Sequence, residues 1–93
     1  MSAPGLSDAS RPAIGRGFRL QWESAQNAWV LLYPEGMIKL NVSAGEILKR
    51  CNGVATIGQI TAELEQAFST TGLKTDVMAF VAMARDKQWL ALP

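Results

Sequence analysis

Residues 29–53, WVLLYPEGMIKLNVSAGEILKRCNG, decide the fold, because their spacing changes partway along from strand to helix. Trp29 to Tyr33 is a continuous apolar run, too short for a helix and rich in aromatic and branched residues, so it reads as a central strand covered on both sides. Pro34-Glu35-Gly36 supplies a turn, and Met37 to Leu40 reads as a further short strand joined to the first as a hairpin. At Ser43 the pattern becomes helical. Ser43 and Glu46 have the spacing of a capping box, in which each side chain satisfies the other residue's free backbone amide. That helix is expected to run to about Cys51, where Asn52-Gly53 stops it because Gly accepts the left-handed conformation of a helix end.

Upstream, Phe18, Leu20 and Trp22 alternate with Arg19, Gln21 and Glu23, the signature of a half-buried strand, and a polar loop from Ser24 to Asn27 returns the chain to Trp29. Downstream, Thr56 and Gln59 form a second capping box, after which Ile57, Ile60, Leu64 and Phe68 fall on one helical face. Thr70-Thr71-Gly72 breaks that helix. A third follows from Thr75 or Asp76 to Lys87, with Asp76 at the positive end of its dipole. Its stripe of Val77, Phe80, Val81 and Ala84 is ordinary, but Met78, Ala79, Ala82 and Met83 make the remaining sides of its first turns apolar too, so it must be covered on more than one side. The expected architecture is α+β and winged-helix-like: a three-stranded antiparallel sheet followed by a three-helix bundle, over residues 17–93. Residues 1–16, MSAPGLSDASRPAIGR, show no apolar period and are expected to form a flexible arm docked only through Ile14.

The chain has 93 residues, enough for one domain that buries about 60–65% of its unfolded surface. That leaves little room for an enclosed active site. Its 48% hydrophobic and 18% charged residues exclude wholesale disorder. Nine basic and eight acidic residues give a net charge of +1, and leaving out the first sixteen residues leaves seven of each sign. This balance argues against a nucleic-acid binder, which neutralises phosphates with clustered Lys and Arg. A single cysteine, Cys51, excludes an intramolecular disulfide and reads as a small buried hydrophobe. With neither a signal-peptide pattern nor a membrane-spanning apolar run, the expected location is the cytoplasm, with no membrane partner.

No His occurs anywhere, so zinc, copper and Cys–His chemistry lack ligands or bases, and the scattered glycines form no phosphate loop. No cofactor, metal or catalytic residue is expected. What remains is the place where a short strand meets an over-apolar helix. An edge strand carries unpaired amides and carbonyls that an extended peptide can complete, with neighbouring apolar residues taking its alternate side chains. Such a groove would lie along Met37, Ile38, Lys39 and Leu40 and the third helix, with Met78, Met83 and Arg85 as walls. Packing of the third helix within the core or in a homodimer explains the same residues equally well. A winged helix-turn-helix that binds DNA is the alternative from topology, but its recognition helix would offer Met, Ala and Asp where Arg, Lys, Asn or Gln are needed.

Taken in order, RPAIGRGFRLQWE, WVLLYPEG, LNVSAGEIL, CNG, TIGQI and DVMAFVAMA resemble the PqqD family, the small peptide chaperones of pyrroloquinoline quinone (PQQ) biosynthesis and relatives of the recognition elements of peptide-modifying systems. The resemblance implies a non-catalytic protein that binds a ribosomally made precursor peptide, PqqA. It also implies presentation of that peptide to a radical S-adenosylmethionine enzyme, PqqE, which joins a Glu and a Tyr side chain. It implies that the peptide adds as a strand beside Met37, Ile38, Lys39 and Leu40 and lies against the third helix, where Val77, Phe80, Val81 and Ala84 are either core or groove. The sequence departs from the family pattern at Gln26, Asn52 and Gln88, where Arg, Asp and Gly are usual. None of these changes removes the strand edge.

Overall fold

The computed structural model describes residues 5–92. Strands β2 (Arg19–Glu23), β3 (Ala28–Tyr33) and β4 (Gly36–Lys39) form an antiparallel sheet in that order, followed by helices α1 (Val42–Leu48), α2 (Ile57–Ala67) and α3 (Lys74–Asp86). A two-residue strand near each end, β1 (Ala13–Ile14) and β5 (Leu90–Ala91), pairs antiparallel into a separate ribbon. This is the expected α+β fold of sheet then helices, with the ribbon added.

The register assigns each side chain to a face. Leu31 stands opposite Leu20 on one side and Ile38 on the other, and Trp22 stands opposite Trp29. These residues share the face that meets the helices, because cross-strand partners project on the same side. Leu31, Leu40, Ile47, Leu48, Ile57, Ile60, Leu64, Val77 and Val81 are all buried there in one cluster. On the opposite face Val30 pairs with Gln21 and Lys39, and it too is fully buried, beneath a row in which Arg19 donates to Gln21 and Gln21 to Glu23. The central strand is therefore covered on both faces, with polar side chains covering the outer one.

Helix α1 lies close against β3 because residue 45 is glycine. A Cβ built there would stand 2.7 Å from Trp29 Cδ1, closer than two carbons can approach without displacement.

Three local expectations change. The cap of α1 is Asn41, not Ser43: its Oδ1 accepts from the Ala44 amide at 2.8 Å, so the helix starts at Val42, directly after the strand. Glu46 is left free of the cap and pairs instead with Arg50 at 2.9 Å and Lys49 at 3.4 Å. The helix closes at Leu48, and Asn52 uses its side chain to accept from the amides of Val54 and Ala55 before Gly53 turns at φ +81°. Phe68, expected on the buried face of α2, is that helix's C-cap and half exposed. The capping box of Thr56 and Gln59 is present as expected.

The largest difference lies in residues 1–16. Residues 1–4 fall outside the described residues, but 5–16 are built into the fold rather than hanging from it. Pro12 is fully buried, β1 pairs with β5, and the Arg11 guanidinium donates to the Val54 carbonyl. The carbonyls of Ser10 and Asp8 accept from the amides of Ile57 and Gly58 at 2.9 and 3.0 Å. Those amides open α2 and have no partner within the helix, so this segment caps it together with Thr56. Asp8 also pairs with Lys74 at the start of α3, at 2.7 Å.

Candidate functional site

Among the described residues β4 pairs only with β3, so its other edge is open. The ladder fixes which groups face outward. Leu40 donates its amide to the Trp29 carbonyl at 3.0 Å, just past the Val30–Lys39 pair. Hydrogen-bonded and non-bonded pairs alternate along an antiparallel ladder. The amides of Ile38 and Leu40 therefore point to β3, and those of Met37 and Lys39 point away from the sheet.

Beside this edge runs a groove of about 450 Å³ lined by β4, the start of α1 and one face of α3. Ile38, Lys39 and Leu40 supply one side, and Asp76, Phe80 and Met83 the other, with Trp89 also in the lining. Leu40 is buried, Ile38 and Phe80 are half-buried, and Met83 is exposed, so the floor is apolar and reachable. Lys39 and Asp76 are its charged members, and Lys87 Nζ sits 6.0 Å from the centre of the Trp89 ring, within cation–π range. An open amide row beside an apolar trough can hydrogen-bond an extended chain and bury every second side chain.

The other candidates divide. Met37 is exposed on β4, opposite Leu32 on the outer face of the sheet. Val77, Val81 and Ala84 are buried in the core cluster and do not line this groove. Met78 is half-buried against the core, and Arg85 is half-buried with Asp86 at 3.9 Å. Neither lines the groove. The structure adds Asn41, Ser43, Ala44, Ile47, Asp76 and Trp89 to the lining. For α3 a sequence signal exists: Asp76, Phe80 and Met83 recur at four and three residues, one position out of phase with the core stripe of Val77, Val81 and Ala84. Trp89 carries no such signal, because it lies beyond the helix.

Chemistry is sparse around this groove. Among the described residues no group of three or more Cys, Asp or Glu side chains is placed to hold a metal, and no helix is long and apolar enough to cross a membrane. Burial pushes the Cys51 thiol up to about 12, so it stays protonated, and its Sγ lies 3.2 Å from the Ile47 carbonyl.

Arg50 joins α1 to α2 by reaching Glu46 at 2.9 Å and Glu63 at 3.3 Å. Its hydrogen bond, with help from the Lys49 charge, holds the Glu46 carboxyl below the ordinary glutamate range against the opposing effect of burial. A carboxylate with a depressed pKa stabilises the fold above its unfolded pKa, and that contribution is lost as pH falls through the folded value. The urea midpoint of the native protein should therefore exceed that of Glu46→Gln near neutral pH, and the gap should close below about pH 4.5. A gap that stays constant on acidification would show that Glu46 acts through packing alone.

The chain matches the family described as coenzyme PQQ synthesis protein D (PqqD) over residues 28–90. It is 47% identical to the PqqA binding protein of Azotobacter vinelandii over 93 residues, 99% of each chain. It is 48% identical to that of Stutzerimonas stutzeri over 82 residues, 87% of this chain and 89% of the relative. Among solved structures it is similar to the PqqD truncation of Methylobacterium extorquens PqqCD, a stand-alone recognition element for ribosomally synthesised, post-translationally modified peptides. The TM-score is 0.76 at 29% identity, covering 94% of this chain and 95% of the other. PqqD from Xanthomonas campestris gives a TM-score of 0.57 at 32% identity, with coverage of 94% and 99%.

Proposed function

Because this chain belongs to the PqqD family, we propose that it is a non-catalytic peptide chaperone of PQQ biosynthesis that binds the precursor peptide PqqA as an added strand on β4. In this reading PqqA pairs with the outward groups of Met37 and Lys39 and lays alternate side chains into the groove at Ile38, Leu40, Phe80 and Met83. The bound peptide is then presented to the radical S-adenosylmethionine enzyme PqqE.

The observation that carries the reading is the open edge of β4 beside an apolar trough. Strand addition is favoured over DNA binding by the surface of α3: after Lys74, which is paired with Asp8, and Thr75, its exposed residues are Asp76, Ala79, Met83 and Asp86, a set with little to offer a phosphate or a base edge. Titrating isotope-labelled protein with synthetic PqqA peptide at low and moderate salt tests it. Saturable amide shifts are expected at Met37–Leu40, Phe80 and Met83 at both salt concentrations. Saturable shifts confined to β2 or α2, or no shifts from a folded protein, would overturn it.

A further inference from the structure

We propose that a second cavity, bounded by α1, α2 and α3, is an additional pocket for the same peptide. It would take one apolar side chain from the segment that leaves β4 at its Leu40 end. The inference rests on strand addition at β4. The cavity measures about 230 Å³, and its apolar lining comprises Val42, Ile47, Leu64, Phe68, Leu73 and Val77.

Three observations point to the peptide as its occupant. First, the cavity adjoins the groove: Ser43, Ile47 and Asp76 border both. A chain following β4 past Leu40 meets this rim next, because α1 begins at Val42. Second, Val42 is 72% exposed and Phe68 50% exposed, so two of the three most exposed large apolar side chains among the described residues stand in the lining of one cavity. Scattered singly they would need no explanation, but together with a cavity between them they form a patch that a partner covers. Third, the volume lies below the roughly 300–1,000 Å³ of pockets that enclose a free small molecule, and suits a single branched or aromatic side chain delivered by a chain anchored elsewhere. Such an anchor raises affinity through effective concentration as well as contact, because the strand already holds it close.

Two variants test the pocket without touching β4. Val42→Asp places a carboxylate at the first residue of α1, where the helix dipole favours it, so the fold is retained while an apolar wall of the cavity is replaced by a third carboxylate beside Glu46 and Asp76. Phe68→Ser removes a half-exposed ring at a helix end. Each should weaken binding of synthetic PqqA peptide about fivefold to tenfold by isothermal titration. In the parent protein, the amides of Val42, Ile47 and Phe68 should shift on peptide addition. A PqqA truncation series should contain one step after which Val42→Asp and the parent bind equally. Unchanged affinity in either variant overturns the pocket. If a proline on the outward edge of β4 still abolishes binding in that case, strand addition stands alone. If that proline is also silent, strand addition itself has failed.

Discussion

Replacing Lys39 by proline is expected to weaken PqqA binding by more than tenfold while the domain stays folded, whereas Ile38→Pro should unfold much of the sheet. The two residues are neighbours, and the contrast comes from the direction of their amides. The Lys39 amide points away from β3, so proline removes a donor that only an added strand uses. Ile38 already has the extended backbone that a following proline demands. The Ile38 amide, by contrast, belongs to the ladder with Leu31 at the centre of the sheet, and its loss costs a native hydrogen bond in addition to the ring clash. Circular dichroism and peptide titration on both variants check this. Native affinity in a folded Lys39→Pro protein would mean that PqqA does not pair with β4.

The second large effect is on stability. Leu31 is fully buried, lies between Leu20 and Ile38, and belongs to the cluster beneath the helices. Leu31→Ala should cost about 2–5 kcal/mol, counting the cavity left behind. A domain of this size has roughly 5–15 kcal/mol in total, and each 1 kcal/mol moves its melting midpoint by about 4–8 °C. A fall of about 8 °C or more is therefore expected, and PqqA affinity should drop with it, because Ile38 loses the partner that seats β4. Leu32→Ala, half-buried on the outer face, is the control and should shift the midpoint far less. Similar shifts for the two variants would contradict the assignment of faces.

Much of this arrangement was legible in the residues. The apolar run at Trp29–Tyr33, the alternation around Leu20, and the reciprocal cap of Thr56 and Gln59 are short-range signals, and each element formed where its pattern predicted. Asn41 and Ser43 are both competent caps, and the choice between them was made by the strand: Leu40 stays in the ladder, so the helix begins as soon as it is released. The docking of residues 5–16 was hidden for a different reason. Its principal bonds come from the backbone carbonyls of Asp8, Ser10 and Pro12, which every residue type carries, to amides more than forty residues away. For the site, β4 was legible as a short strand and Phe80 and Met83 as apolar positions on a helix. The separation of groove residues from core residues on α3 turned on a rotation of one position: the sequence holds both stripes, and packing of Val77, Val81 and Ala84 into the core decides which of them faces the groove.

The ribbon of Ala13–Ile14 with Leu90–Ala91 also imposes an order in time. On the ribosome the sheet and the first two helices can assemble as they emerge, but β1 has no strand partner until residue 91 has left the exit tunnel. Closing so long a span costs chain entropy that only the finished domain offsets. Until then the carbonyls of Asp8 and Ser10 can seat on α2, and Pro12 and Ala13 on Gly53 and Asn52, but the ribbon itself stays unpaired. Closure of this fold is therefore completed at Leu90–Ala91.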